Sequence, residues 1–297
     1  MADWHLHTEM PDASQWDACV QENLFLKSAL LPHWSPSWRY FTLGQPFRAV
    51  FALPYRRKWG QRYAFQPTLL PWLSVEGRWQ PDELKALQTL VFSQFTVVHF
   101  TLQCREQWPH LARQWTNYVV PLPAVADQLI FSTELSKNLR KASRWSLQLT
   151  SDQKAAEAVA LFQQVHGHHH PKAAFNQLTQ LAQAMQAQGW LKVYAVEQAG
   201  AVVARLLVLD DGQRVSYWMA APTAEGRQMR ALHWGITQLM QRHCGLRSTW
   251  QFMGSDLPAV ARFYQQFTPV NQPFQELYAS RGLVGWLHGL GRRLLGA

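Results

Sequence analysis

Twice along this chain the same order of signals recurs, and that repeat constrains the fold more than any single motif does. In the second half, Leu191–Glu197 reads as a strand and pairs with Ala201–Leu209 across Gln198-Ala199-Gly200. Asp211-Gly212 then turns the chain into Gln213–Met219. A helix from Gly226 to Cys244 follows, with Met229, Leu232, Ile236, Leu239 and Met240 as its apolar set, and Ser248–Met253 closes the series as a strand. The first half runs in parallel. Leu43-Gly44 leads into the strand Phe47–Leu53, closed by Pro54, and the basic turn Arg56–Gly60 leads into Gln61–Phe65. Pro81-Asp82-Glu83 opens a helix with Leu84, Leu87, Val91 and Phe95 on one face, and Thr96–Gln103 is the closing strand. Side-chain identity between the halves is slight, so element order carries the reading: two copies of one α/β module with mixed sheets.

Outside the repeat, Asp12–Leu31 has helical spacing up to Pro32, and Asp152–Gln164 and Lys172–Gln188 read as two more helices. The expected division is a first domain over 1–124, a basic junction helix over 125–150, and a second domain over 151–280. The tail 281–297 carries Leu283, Trp286, Leu287, Leu290 and Leu294 on one face. Its glycines each cost about 1 kcal/mol of helix propensity, so it needs a surface, either the first domain or a membrane.

Apolar residues make up 47% of the chain, with 15 Trp and 15 Phe, which excludes a disordered polypeptide. No apolar run approaches membrane-spanning length, and Met1–His5 lacks the features of a secretory signal. Cys19, Cys104 and Cys244 are isolated from one another, which argues for a reducing, cytoplasmic compartment and against a zinc site. His166-Gly167-His168-His169-His170-Pro171 is a loop with no flanking Cys, Asp or Glu, and is read as adventitious rather than as a metal centre. A formal charge of +9 favours an anionic partner: a small anionic or nucleotide-linked substrate, a phosphorylated cofactor, nucleic acid or a membrane face.

Within 125–149 four cations gather on one helix face. Phe131, Leu135, Leu139 and Ala142 form an apolar stripe, and Lys137, Arg140, Lys141 and Arg144 lie opposite it at about 100° per residue. Like charges at this spacing repel, so either a solvated face or an anion-binding face accounts for them. Gln251–Pro258 offers a strand end, the Gly254-Ser255 turn and a helix start, a natural seat for an anion or a carbonyl group. Walker, GxSxG, HExxH and GxGxxG motifs are absent, which leaves transfer chemistry that works by positioning and backbone dipoles.

Ser136-Lys137-Asn138-Leu139-Arg140-Lys141-Ala142 resembles the S-x-x-x-R-K-A helix of the Fem-type aminoacyltransferases, a branch of the GNAT acyltransferase superfamily. Gln251-Phe252-Met253-Gly254-Ser255 is similar to their D-F-x-G-S segment, Arg262–Phe267 to the R-F-x-x-x-F helix, and Tyr63–Pro67 to an aromatic Q-P turn in bacterial members. The resemblance implies two tandem GNAT-like domains and amide-forming acyl or aminoacyl transfer to an amine in a cleft between the modules, related to cell wall or polysaccharide. Acyl-CoA or aminoacyl-tRNA would be the donor, making tRNA a candidate partner. Lys137, Arg140, Lys141, Arg144, Arg227 and Arg230 would then hold phosphates, while Tyr217 and Ser255 would line the acceptor site. Gln251 replaces the usual acid, so no catalytic base is assigned. The segment 225–231 lacks the pyrophosphate-loop glycines of CoA users. Two alternatives stand beside this reading: a CoA-dependent N-acetyltransferase acting on a sugar or peptide amine, and a non-catalytic binder built on the same scaffold.

Overall fold

The computed structural model describes residues 3–167, 172–254 and 256–282. The chain divides into two units, one of residues 1–115 with 273–297 and the other of residues 116–272.

In the first unit the sheet runs β1 (Trp4–His7), β2 (Trp38–Leu43), β3 (Ala49–Lys58), β4 (Gln61–Phe65), then β7 (Val97–Gln103), β16 (Phe274–Ser280) and β8 (Leu111–Trp115). Two short strands, β5 (Leu73–Ser74) and β6 (Glu76–Gly77), pair with β7 and β3. Helices α1 (Ala13–Cys19), α2 (Leu31–Trp34) and α3 (Pro81–Gln94) complete it. Phe51 packs with Phe41, Phe100 and Trp108, each ring centroid within 6.1 Å of its own.

In the second unit the sheet runs β10 (Leu147–Asp152), β11 (Leu191–Gln198), β12 (Ala201–Asp210), β13 (Arg214–Pro222), β14 (Thr249–Gln251), β9 (Tyr118–Pro121) and β15 (Val270–Asn271). Its helices are α4 (Thr133–Ala142), α5 (Ala155–His166), α6 (Lys172–Ala187), α7 (Ala224–Gln228), α8 (Ala231–His243) and α9 (Pro258–Gln265).

The two sheets share one pattern. Four antiparallel strands are followed by a parallel neighbour, reached through α3 in one unit and α8 in the other, and then by two antiparallel strands. The fold is α/β with two tandem GNAT-like mixed sheets, as the repeat predicts. The unit limits differ from 124/125 and from 280, because β9 and α4 pack in the second unit and β16 returns to the first sheet. A strand's sheet is chosen by long-range pairing, which no local signal announces.

Four elements also differ from the sequence expectation. The helix expected over Asp12–Leu31 stops at Cys19, because the Gln21 and Glu22 N–H groups turn to the Glu76 carboxylate instead of continuing the helical ladder. Strand β3 runs through Pro54 rather than ending there: its pairing with β2 finishes at Pro54 and its pairing with β4 begins at Tyr55, so the missing N–H falls at the changeover. The helix expected over Gly226–Cys244 is broken at Arg230, which is left-handed at φ 60°. Strand β10 takes residues expected at the end of the junction helix 125–150 and at the start of the helix Asp152–Gln164, so that α-helical structure within 125–150 is confined to α4.

Candidate functional site

Helix α4 is built as its spacing predicts. Ser132 caps it by accepting from Leu135 N–H, Leu135 and Ala142 are buried, and Lys137, Arg140 and Lys141 are exposed, with Arg144 exposed just past its end. Among the described residues none of these four cations is paired with a carboxylate. An exposed single-sign face of this kind raises the local concentration of anions.

Asn138, on the buried side of α4, donates to Gln266 Oε1 at 2.9 Å, and the Gln266 carbonyl accepts from Ser132 N–H. Gln266 in turn bonds to His233 in the first turn of α8. This relay fixes α4 against the start of α8. Burial, reinforced by the Arg230 charge and opposed by the Gln266 bond, pushes His233 down to about 4, so the imidazole is neutral.

Arg230 stands at the corner between α7 and α8, and Arg227 is exposed on α7. A non-glycine residue in the left-handed region costs roughly 1–2 kcal/mol, and among the described residues the buried Arg230 Nε has no hydrogen-bond partner. Arg230→Gly is therefore expected to raise stability by up to about 1 kcal/mol in urea denaturation and to move the His233 titration upward by NMR. Unchanged His233 titration would remove Arg230 from its vicinity.

Strands β13 and β14 pair only over Arg214–Ser216 and Thr249–Gln251, after which β13 continues to Pro222 without β14 beside it. Parallel neighbours that part in this way leave a fork, the usual place for ligands in open α/β sheets. A bulge sets Trp218 out of register in β13, since Leu207 faces Met219 and Val208 faces Tyr217. The fork is filled by Tyr217, Trp250, Phe252 and Tyr264, with Phe252 stacked on Tyr264 at 4.5 Å. Tyr217, expected to line an acceptor site, is 6% exposed, and burial raises both tyrosine hydroxyls well above their ordinary value. Neither supplies a phenolate near neutral pH.

Past β14, Met253 and Gly254 both take positive φ, and Asp256 Oδ1 accepts from Thr116 N–H at 3.3 Å. Ser255 lies outside the described residues, as do His168–His170 and the tail from residue 283. Among the described residues no His, Cys, Asp or Glu group is arranged to hold a metal, and no helix is long and apolar enough to cross a membrane.

One residue that the spacing argument missed is Asn117. It is fully buried, and among the described residues neither its side-chain Nδ2 nor its Oδ1 has a hydrogen-bond partner. A lone Asn between Thr116 and Tyr118 carries no periodic signal, so only the structure identifies it.

The acetyltransferase (GNAT) domain family matches residues 133–259, from α4 to the start of α9. No curated protein matches the sequence. Among solved structures, FemX superposes with TM-score 0.63 at 10% identity, over 91% of this chain and 97% of its own. The C-terminal domain of a putative lysylphosphatidylglycerol synthetase from Agrobacterium fabrum gives 0.56 at 10% identity, over 96% of each chain. The structure of L-PGS from Bacillus licheniformis gives 0.51 at 14% identity, over 88% of this chain and 90% of its own. At these identities the likeness is one of fold.

Proposed function

We propose that this chain, whose residues 133–259 match the acetyltransferase (GNAT) domain family, is a transferase that moves an acyl or aminoacyl group from a phosphate-bearing donor to an amine. The observation that carries this reading is the set of exposed cations Lys137, Arg140, Lys141 and Arg144, unpaired among the described residues, on and just past a helix tied through Asn138 and Gln266 to the corner bearing Arg230. Arg227 and Arg230 hold the donor's phosphates near that corner, and the α4 face carries the rest of a polyanionic donor. The acceptor is an amine of a cell-envelope precursor, either lipid-linked or nucleotide-linked.

Two donors fit this chemistry. Acyl-CoA is supported by the acetyltransferase family match. Aminoacyl-tRNA is supported by the length of the basic face and by a helix corner without the close-approach glycines that a pyrophosphate loop uses. The second is preferred, because a face of four exposed cations exceeds what one pyrophosphate needs.

Arg140→Glu combined with Arg144→Glu is expected to weaken tRNA binding by at least about tenfold and to flatten its salt dependence, read by fluorescence anisotropy across a salt series. Equal binding by the double variant would sink the assignment. Thermal stabilisation by acetyl-CoA with no effect of tRNA would move the donor to CoA.

A further inference from the structure

The two parallel strand pairs occupy matching positions in the two sheets, and they carry different chemistry. In the first unit the parallel pair β4/β7 ends with Phe65 opposite His99, just as β13/β14 ends with Ser216 opposite Gln251. His99 therefore stands where the second unit has Gln251. On the other side of β7, Tyr278 faces His99 and Glu276 lies two residues before Tyr278; in the second unit Val119 faces Gln251 and Asn117 lies two residues before Val119. The first unit thus holds a histidine and a carboxylate at positions where the second holds two amides. Amides do not ionise, so at these positions only the first unit can accept a proton.

The pair is formed and oriented. His99 Nε2 lies 2.7 Å from Glu276 Oε1, and Trp115 Nε1–H donates to Glu276 Oε2 at 2.8 Å. A carboxylate only accepts, so Nε2 carries the hydrogen toward Glu276, and in the neutral ring Nδ1 is then the atom with the lone pair. The Glu276 side chain is 8% exposed and the His99 side chain 41%, so the orienting acid is buried while the imidazole meets solvent. Among the described residues Nδ1 has no hydrogen-bond partner, and Tyr278 meets the ring edge-on at 5.9 Å. Past His99 the same edge of β7 is taken by Gln66, which accepts from Thr101 N–H, and then by β5 at Leu102 and Gln103.

We propose that His99, oriented by Glu276, is the proton-accepting residue for acyl transfer to an amine or hydroxyl nucleophile, and that this site lies at the end of the first unit's parallel β4/β7 pair. The inference deepens the transferase reading and rests on it for the reaction class. The nucleophile's nitrogen or oxygen attacks the acyl carbon, forming the new C–N or C–O bond. The bond from that carbon to the donor's ester oxygen or thioester sulfur breaks. The nucleophile's proton passes to His99 Nδ1 and leaves on the departing alcohol or thiol.

The test uses the full chain with p-nitrophenyl acetate as acyl donor and glycinamide as amine, a probe that carries no phosphate. Its outcome therefore does not depend on whether the α4 face binds the donor. The wild type is expected to accelerate aminolysis above buffer. His99→Gln, which can still donate to Glu276, should lower kcat by about 10²-fold with KM unchanged, and His99→Ala should recover rate when imidazole is added. Glu276→Gln should give an intermediate loss. Wild-type rates in His99→Gln at an unaltered melting temperature would overturn the proposal, as would a wild type that does not accelerate the probe reaction.

Discussion

Glu76→Ala is expected to destabilise the protein by about 3–5 kcal/mol in urea denaturation at neutral pH, much of the stability of an ordinary domain. Glu76 is 2% exposed and accepts from Gln21 N–H, Glu22 N–H and Ser74 Oγ. Ser74 Oγ also accepts from Asn23 Nδ2, which donates to the Trp72 carbonyl as well. Removing the carboxylate leaves two backbone donors without their acceptor, each costing about 1–3 kcal/mol when buried. Burial raises the Glu76 carboxyl above its ordinary value, and the hydrogen bonds offset that only in part. With the folded value above the unfolded one, the stability contributed by protonated Glu76 is complete below the unfolded value. It is lost as pH rises through the folded value. Glu76→Gln keeps an acceptor and cannot ionise, so stability relative to wild type should tilt in its favour as pH rises from below 4.5. A pH-independent difference between the two would remove the linkage.

Gly226→Ala should cost about 3 kcal/mol or more and weaken anion binding at the same time. A Cβ at Gly226 would fall 2.0 Å from the Val203 carbonyl oxygen and 2.9 Å from its carbon, both of them backbone atoms. That oxygen also accepts from Thr223 N–H, and Thr223 Oγ1 caps α7 by accepting from Gly226 N–H. Relief therefore requires α7 to lift from β12, carrying Arg227 and the Arg230 corner with it. Gly200→Ala is the contrasting control: nothing lies within 4 Å of its Cβ, and its φ of +80° confines the cost to local strain of about 1 kcal/mol. Calorimetry on the two variants checks the ranking, and equal melting temperatures would show that α7 yields freely.

Much of the second unit was legible because its determinants are local. The four-residue spacing of Leu135 and Leu139 set the buried side of α4 and left its cations outside. The Ala199-Gly200 turn set the β11/β12 hairpin, with φ of 49° and 80° at the two residues. Arg230 and Gly226 were legible as residues but not in what they do. The absence of close-approach glycines was read against a ligand, whereas Gly226 makes its close approach to β12 and Arg230 turns the chain where a glycine would have been easier. Tyr217 was expected at an acceptor surface and stands in the aromatic filling of the fork, because a strand's alternate faces are not labelled until its neighbours are known.

The sequence by itself determined the doubled order of strands and helices, the hairpin turns and the single-sign face of α4. Each of these follows from spacings of a few residues, over which backbone conformation and side-chain direction are set. Only the tertiary structure decided that β16 returns to the first sheet. That return brings Glu276 to His99 across 177 residues of chain and leaves Asn117 and Gln251 at the matching places in the second. Pairing between distant strands depends on which edges remain open once the local elements have formed. A histidine and a glutamate so far apart carry no mark of their partnership until the sheet closes between them.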